Sequence, residues 1–318
     1  MRIGRAAGVT DTGRRRLRNE DAFICEPPLF AVADGMGGAR AGEIAAGLAA
    51  AALEEAGTET RGAEGIAALI EEANRRIWER SLSDPETAGM GTTVTAALVD
   101  AASGTVAIGH VGDSRAYLVR RGAIEQLTTD HSLVAELVQS GMLTPEEAER
   151  HPQRSAITRA LGTEPSVDVD GFTIQAEQGD LFLLCSDGLS SMLADADMAA
   201  AIESAGGDPA PAAEALIEAA NARGGEDNVT VVLFEMVAAD EAAPVPSDAR
   251  GEETGELVGE PEEAVEPATG RDGAEDATGA FGSLSRHGAG PGGRFAALLL
   301  IVVLLGLGLF VLYLFLPR

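Results

Sequence analysis

Residues 29–35 read LFAVADG and residues 181–188 read LFLLCSDG, so two apolar runs each end at an Asp-Gly pair. Apolar runs of this length, bounded by turn residues, are typical of buried strands. Asp227 comes directly before a further apolar run, and the acidic pair Glu20-Asp21 follows an Arg-rich segment. Strands that end this way bring carboxylates from distant parts of the chain together. Because unpaired carboxylates repel one another, such a cluster normally persists where cations bind, and the sequence therefore predicts a metal site.

Length and composition allow a substantial core and exclude several functions. The chain has 318 residues, of which 45% are hydrophobic, enough for one large domain or two small ones. Its net charge of −28 and pI near 4.4 are the opposite of what binding to a nucleic-acid backbone requires, so we expect no nucleic-acid partner. All 23 basic residues are Arg. The absence of lysine excludes a P-loop, a protein-kinase site and Schiff-base chemistry.

The two cysteines, Cys25 and Cys185, lie in apolar strand-like runs. We interpret them as small buried side chains in a reducing compartment, with no disulfide. Residues 1–9 lack the apolar segment of a secretory signal. We therefore expect the N-terminal part of the chain to stay in the cytosol.

The pattern of apolar residues predicts a globular region over residues 1–239, in which helices and strands come in blocks and do not alternate. We therefore predict an α+β layered sandwich, with a hairpin whose turn is Gly112-Asp113. Further strands are predicted at Thr92–Val99, Thr105–Val111, Ala116–Arg120, Leu181–Cys185 and Val229–Met236. Helices are predicted at Ala41–Ala56, Ala63–Ser81 and Pro209–Ala222.

A polar excursion, residues 126–162, separates two groups of strands. Thr144 followed by Pro145 predicts the start of a short helix within it, with Thr144 as the N-cap. From its sequence the excursion is equally consistent with an active-site flap and with a surface connection.

The C-terminal part of the chain has a different composition. Residues 240–294 are rich in Glu, Gly, Ala, Pro and Thr and predict a disordered acidic linker. Residues 295–316 are uncharged and apolar, as long as a bilayer-spanning helix needs to be. Arg286 and Arg294 before this segment, against Arg318 after it, weakly favour a globular domain on the cytoplasmic side of a single-pass membrane helix.

The candidate metal ligands are all hard oxygen atoms, which favour Mn²⁺ or Mg²⁺ over zinc. The histidines show no metal-binding spacing and are interpreted as structural or surface residues. Two divalent ions held by shared carboxylates can activate water for attack at phosphorus, which makes phosphate-ester hydrolysis the natural chemistry. The candidate ligands are Glu20, Asp21, Asp34, Asp113, Asp187, Asp227 and the carbonyl of Gly35.

Four arginines in the segment 14–18 directly precede Glu20. Such a run is commonly a solvated basic patch. A phosphate dianion approaching an acidic surface nevertheless needs a fixed positive partner, and the planar guanidinium matches its oxygens. The position of these arginines beside the proposed ligands favours phosphate binding by at least one of them.

Six motifs in this order and spacing resemble the metal-dependent protein phosphatases of type 2C, over about residues 4–236. The resemblance looks especially close to membrane-tethered bacterial members that act opposite Ser/Thr kinases. The motifs are Asp11–Asp21 (DTGRRRLRNED), Val32–Gly38 (VADGMGG), Gly91-Thr92-Thr93, Gly112–Arg115 (GDSR), Ser186-Asp187-Gly188 and Asp227-Asn228.

The resemblance implies a four-layer α-β-β-α sandwich of two antiparallel sheets flanked by helices, to which the C-terminal transmembrane helix is added. It also implies a centre of two Mn²⁺ or Mg²⁺ ions. Asp34 would bridge both ions, and the Gly35 carbonyl would complete the first. Glu20 would reach the second ion through water, while Asp187 and Asp227 would bind it directly.

The same resemblance gives roles to three further residues. Asp113, together with Asp187, would hold a weaker third ion. Arg16 matches the phosphate-binding arginine of the family. Asp21 matches either a metal ligand or an acid that lies behind the ligands and does not touch the metal. The excursion at residues 126–162 falls where the family has its flap, which favours that interpretation.

One position departs from the pattern, because Met36 stands where some members have a histidine that acts as general acid. A thioether cannot donate that proton, so the general acid is not identified. The expected function is hydrolysis of phosphoserine and phosphothreonine on proteins, with phosphorylated proteins and a Ser/Thr kinase as partners and the membrane bound through the C-terminal helix. The alternative is a catalytically silent, membrane-tethered scaffold that binds a phosphoprotein or kinase.

Two other hydrolase classes do not fit the sequence. A cysteine-based phosphatase needs an arginine six residues after its nucleophile, but Ser191 follows Cys185 at that offset and Ala31 follows Cys25. A serine hydrolase could use Ser114, but no GxSxG motif accompanies it.

Overall fold

Residues 1–37, 41–57, 60–148 and 150–239 are described by a computed structural model of the protein. The strands are β1 Arg2–Asp11, β2 Asp21–Glu26, β3 Leu29–Met36, β4 Gly91–Thr92, β5 Val94–Asp100, β6 Thr105–Val111, β7 Arg115–Arg120, β8 Ala123–Gln126, β9 Asp170–Gln175, β10 Leu181–Cys185 and β11 Val229–Val237. The helices are α1 Ala41–Gly57, α2 Gly62–Ser83, α3 Leu133–Gln139, α4 Pro145–Ala148, α5 Asp187–Ser190, α6 Asp195–Ser204 and α7 Pro209–Ala222, with a short 3-10 turn at Pro85–Thr87.

The strands form two antiparallel sheets. One has five strands in the order β1-β11-β10-β7-β8, and the other has the order β2-β3-β5-β6-β9 with β4 paired to the end of β3. The sheets pack face to face around buried aromatic rings. Phe234 of β11 stacks on Phe30 of β3 and on Phe182 of β10, with ring centroids 4.1 and 5.0 Å apart. The predicted sandwich of two antiparallel sheets is confirmed.

Helices cover the outer face of each sheet and complete four layers. Helices α1 and α2 pack on the six-stranded sheet, where the small buried residues Ala45, Ala46 and Ala49 let α1 lie close to the strands. Helices α6 and α7 pack on the five-stranded sheet through side chains such as Ile202 and Leu216. The apolar stripes that predicted α1, α2 and α7 are the faces that these helices bury.

The predicted hairpin at Gly112-Asp113 is wrong. Strand β6 belongs to the six-stranded sheet and β7 to the five-stranded sheet, so the turn carries the chain from one sheet to the other. Gly112 has a φ of 116°, and a Cβ there would lie 2.5 Å from the Thr93 side chain. The sharp change of direction therefore needs glycine. The strand predicted at Thr92–Val99 is divided at Thr93 into β4 and β5.

The excursion after β8 contains α3 and α4 and returns to the core at two points. Ile157 pairs with Ser132, and Leu161 pairs with Thr92. Thr144 caps α4 as predicted: its Oγ1 accepts from the backbone N–H of Glu147, whose carboxylate accepts from the N–H of Thr144. The segment is therefore held at its base by backbone pairing.

Both cysteines are free, as predicted, with Cys185 buried and Cys25 half-buried. Within the described ranges, no helix has both the length and the apolar character needed to cross a membrane. The predicted linker at 240–294 and the predicted membrane helix at 295–316 lie outside the described residues.

Candidate metal centre and catalytic pocket

A pocket of about 370 Å³ opens where the ends of the two sheets meet. It brings together the predicted phosphate-binding residue Arg16 and all the predicted metal ligands but one. The exception is Asp21. Its lining consists of Arg16, Glu20, Asp34, Gly35, Met36, Gly37, Asp113, Ser155, Ile157, Asp187, Asp227 and Asn228. A larger groove of about 810 Å³, also lined by Asp113 and Asp187, runs beside it along the excursion.

Asp34 lies at the end of β3, where two threonines fix the backbone. The Thr93 Oγ1 accepts from the N–H of Asp34 at 3.1 Å, and the Thr92 hydroxyl donates to the carbonyl of Asp34 at 2.8 Å. The next residue, Gly35, donates its N–H to the carbonyl of Glu20 at 3.2 Å. A Cβ on Gly35 would lie 2.2 Å from the carbonyl oxygen of Gly42. Only glycine therefore allows this close approach of three backbone segments.

Asp187 comes from the other sheet, at the end of β10. The preceding Ser186 is buried, and its Oγ accepts from the N–H of Thr230 at 3.0 Å. A Cβ on the following Gly188 would lie 2.0 Å from the carbonyl oxygen of Asn228. The turn that carries Asp187 is thus locked against the start of β11. Each sheet supplies part of the acidic site.

Asn228 organises the loop between β1 and β2, a role that the sequence analysis did not assign. Its Nδ2 donates to the carbonyls of Thr12 and Arg18 at 3.0 and 2.8 Å, and its Oδ1 accepts from the N–H of Glu20 at 2.8 Å. One amide side chain therefore holds the Arg-rich segment and a predicted ligand in register. Ser155 and Ile157, which form the pocket wall on the side of the excursion, were also missed.

Arg16 reaches across the pocket to Asp227. Its guanidinium donates to the Oδ2 of Asp227 at 2.6 Å, and both side chains are partly exposed. The cation therefore lies directly beside the carboxylates, as the sequence predicted. Its position allows it to meet an anion that enters the pocket.

Burial, and after it the charges of neighbouring acids, raises the pKa values of the acids in the pocket. Burial, reinforced by the neighbouring acid Asp187, raises the pKa of Asp113 to about 7. Burial and the charges of Asp21 and Asp187 raise the pKa of Asp34 well above its usual range. Burial also raises the pKa values of Asp187 and Glu20. Such shifts mean that the ionised cluster lacks compensating positive charge.

Asp21 lies behind the pocket and does not line it. Its Oδ2 accepts from the Thr230 hydroxyl at 2.6 Å, and burial raises its pKa to about 7. Of the two roles that the resemblance left open, this placement favours an acid behind the ligands.

The residues fit a divalent metal centre. The Oδ1 atoms of Asp21 and Asp187 are buried, and neither has a hydrogen-bond partner in the described part of the chain. Buried carboxylate oxygens of this kind are costly unless a cation or proton satisfies them. As the side chains stand, with Asp227 turned to Arg16, no group of three or more His, Cys, Asp or Glu among the described residues is arranged to hold a metal ion. Binding would therefore require side-chain rotations.

The described histidines do not line the pocket. His110 and His131 are buried and stacked, with ring centroids 4.8 Å apart. The Nδ1 of His131 accepts from the N–H of Gly112 at 3.0 Å. Both act as structural residues, as predicted for them. Met36 does line the pocket, where its thioether offers no proton.

A carboxylate pocket with an arginine at its rim, set between two antiparallel sheets flanked by helices, defines a metal-dependent phosphatase. The profile of the family described as Protein phosphatase 2C matches residues 13–224. The chain belongs to that family.

Individual relatives agree with this assignment. The serine/threonine phosphatase stp of Listeria innocua is 42% identical over 238 residues, which cover 71% of this chain and 93% of the relative. The crystal structure of the Mycobacterium tuberculosis phosphatase PstP/Ppp has a TM-score of 0.70 at 39% identity, and the match covers 74% of this chain and all of that one. A structure of the catalytic domain of PstP in complex with two manganese ions has a TM-score of 0.68 at 38% identity, covering 74% and 99%.

Proposed function

We propose that this chain is a Mn²⁺- or Mg²⁺-dependent protein phosphatase that hydrolyses phosphoserine and phosphothreonine on proteins. The observation that supports this most directly is the pocket itself. Buried carboxylates from both sheets converge there, and Arg16 stands at the rim. Asp187 in the pocket and Asp21 behind it each keep an oxygen with no hydrogen-bond partner among the described residues. The manganese-bound relative, similar over the whole region, supports the same metal.

In this proposal the chain's own residues hold the metals and orient the phosphate. Asp34, Asp187, Asp227 and the Gly35 carbonyl would hold the two ions, with Glu20 beside them. Bound Mn²⁺ or Mg²⁺ would supply positive charge and an activated water. These residues belong to both sheets, so the two sheets together would position the ions.

Arg16 and the excursion complete the substrate site. The Arg16 guanidinium pairs with two phosphate oxygens in place of part of its contact with Asp227. Asp113 and Asp187 would together hold a weaker third ion. Ser155 and Ile157 close the side of the pocket, so the excursion acts as a flap that restricts water around the reacting phosphate.

The catalytic function is tested by measuring whether the protein hydrolyses a phosphorylated substrate or only binds it. We expect the full-length chain to hydrolyse p-nitrophenyl phosphate and a phosphothreonine peptide with Mn²⁺ or Mg²⁺, and to lose both activities in EDTA. The alternative function is a catalytically silent scaffold. The observation in its support is Met36, which cannot replace a histidine general acid. Binding of the phosphopeptide in excess manganese with no release of phosphate would support the scaffold and reject the enzyme.

For the regions outside the described residues we propose an anchored arrangement. Residues 1–239 form the phosphatase domain, 240–294 a flexible acidic linker, and 295–316 a single-pass membrane helix that keeps the domain on the cytoplasmic face. There the phosphatase would oppose a Ser/Thr kinase. The uncharged composition of residues 295–316 supports the anchor.

Deleting residues 295–318 is expected to move the protein from the membrane fraction to the soluble fraction without changing its rate on p-nitrophenyl phosphate. The apolar segment would be the only anchor, and its removal leaves the pocket untouched. A second variant, Leu304→Arg with Leu305→Arg, places two charges costing about 2.5–3.5 kcal/mol each at the centre of the span. Retention of either variant on membranes, or a lost rate, would show that the tail is not a simple tether.

A further inference from the structure

The loop between β1 and β2 carries an unusual concentration of positive charge. Residues 14–18, called the arginine loop here, contain four of the 23 arginines, and every one of the five residues is exposed. Leu17 at its tip has 99% of its surface accessible. In a chain with a net charge of −28, this loop is a local positive feature, and its central residue Arg16 lines the pocket.

Hydrogen bonds to its backbone fix the arginine loop at both ends. The N–H of Arg14 donates to the carbonyl of Gly225 at 2.7 Å, and the carbonyl of Arg18 accepts from the Asn228 side chain at 2.8 Å. The side chains between these points therefore project from a defined place. A loop held this way can present charge to a ligand with less loss of conformational entropy than a free one.

The four arginines differ in their partners. Arg16 pairs with Asp227, and Arg15 lies 3.5 Å from the carboxylate of Glu226. Within the described residues, the side chains of Arg14 and Arg18 form no ion pair and no hydrogen bond. The Arg18 carbonyl accepts from the side chain of Asn228, which lines the pocket, so the Arg18 side chain starts from a point beside the pocket.

The spacing of these cations matches the spacing of residues along a peptide. Arg14 and Arg18 are each two residues from Arg16, at most about 7 Å along the chain. In an extended substrate, side chains two or three positions from the phosphorylated residue lie about 7–10 Å from it. When Arg16 holds the phosphate, Arg14 and Arg18 are therefore within reach of the flanking side chains.

We propose that the arginine loop selects phosphoprotein segments in which anionic side chains flank the phosphorylated residue, through Arg14 and Arg18. The anion is either a carboxylate or a second phosphate, since both pair with a guanidinium. The inference rests on the proposed phosphatase function and adds its substrate class. An anionic membrane surface would also attract the loop, but contact with a bilayer there would cover the pocket, whereas a bound peptide fills it.

The test compares three phosphothreonine peptides of equal length with the full-length chain in Mn²⁺. One has Glu at the second and third positions on either side, one has Gln there, and one carries a second phosphothreonine two residues away. We expect kcat/KM for the anionic peptides to exceed that for the neutral peptide by about three- to tenfold at low salt, with the preference falling at high salt. A larger preference for the doubly phosphorylated peptide identifies phosphate as the favoured anion, and an equal one shows that carboxylates suffice.

The double variant Arg14→Gln/Arg18→Gln should bring the ratio of kcat/KM values close to one. The control Arg80→Gln/Arg121→Gln removes the same charge from exposed arginines outside the pocket and should keep the preference. The proposal would be overturned if the control lost the preference for anionic peptides to the same extent. It would also be overturned if Arg14→Gln/Arg18→Gln left the ratio of kcat/KM values unchanged.

Two further outcomes separate this inference from the alternatives. If, in the chain that lacks residues 295–318, Arg14→Gln/Arg18→Gln abolishes sedimentation with vesicles containing anionic lipid but keeps the peptide preference, the loop is a membrane contact and the proposal is wrong. Turnover of all peptides without preference rejects the substrate class alone. No turnover of any peptide by the unmodified chain rejects the phosphatase function, and the proposal with it.

Discussion

Replacing Asp187 with asparagine is expected to lower kcat on p-nitrophenyl phosphate by at least about a thousandfold, equivalent to roughly 4 kcal/mol of transition-state stabilisation. The same variant should melt at a higher temperature than the unmodified protein when both are free of metal. Asp187 is buried beside other acids and has one unpartnered oxygen. Its charge therefore destabilises the metal-free fold and is useful only when a cation is present.

The opposite signs of these two effects distinguish a ligand from a structural acid. In Asp187→Asn the amide would keep the shape of the side chain while removing the repulsion, for a gain of about 1–3 kcal/mol, or a few degrees in melting temperature. The variant should also lose most of the rise in melting temperature that Mn²⁺ gives the unmodified protein. Activity assays and thermal denaturation in EDTA and in Mn²⁺ measure both.

Asp180 provides a matched control at the other end of β10. It is also buried, but Arg120 donates to both of its oxygens at 2.7 and 2.6 Å, and the N–H of Glu177 adds a third hydrogen bond. Asp180→Asn should therefore lower the melting temperature and leave the response to Mn²⁺ intact. If Asp187→Asn behaves as Asp180→Asn does, the pocket is not a metal centre.

The metal-free protein is expected to lose stability as the pH rises from about 4 to about 7. Asp21 and Asp113 ionise near pH 7 in the folded protein but at their ordinary value of 3.8 when unfolded. Across this interval the folded state binds more protons than the unfolded state, so each rise in pH favours unfolding. With 1.36 kcal/mol per pKa unit, the loss is on the order of 3 kcal/mol for one such carboxyl.

Mn²⁺ should reverse this dependence. A cation in the pocket favours the ionised carboxylates, so its binding releases protons and tightens as the pH rises. Urea denaturation at pH 5 and pH 7.5, in EDTA and in Mn²⁺, measures the four stabilities. Asp113→Asn serves as the control, because it should remove the contribution of one carboxyl and make the curve in EDTA less steep. Parallel pH curves with and without metal would contradict the prediction.

The sequence predicted the central strands and did not give bounds for the edge strands. Strands β3, β5, β6, β7, β10 and β11 lie inside their sheets and are continuous apolar runs. The four edge strands are β1, β2, β8 and β9, and their residues are mostly half-buried or exposed. An edge strand in a sandwich is covered on fewer sides, so polar residues interrupt its pattern. The apolar runs that predicted strands therefore reflect burial on both faces, and not strand formation itself.

The acidic site was predictable because each acid ends or begins a buried strand. Asp34 follows β3's apolar run, Asp187 follows β10, and Asp227 precedes β11. Asn228, Ser155 and Ile157 were missed, since amide, hydroxyl and aliphatic groups carry no comparable pattern. Their roles depend on which backbone groups lie opposite, and only the folded chain defines that. The adjacency of Asn228 to Asp227 was the one available clue.

The pairing of β1 with β11 also determines where foreign material can be attached. Arg2 lies opposite Val237 at one end of this pair, while Asp11 and Val229 lie at the other, beside the pocket. The nine residues of β11 span about 30 Å. An affinity tag, a fluorophore or a sensor surface joined at Met1, or just after Val237, would therefore sit at the pole away from the mouth, leaving it open to large phosphoproteins.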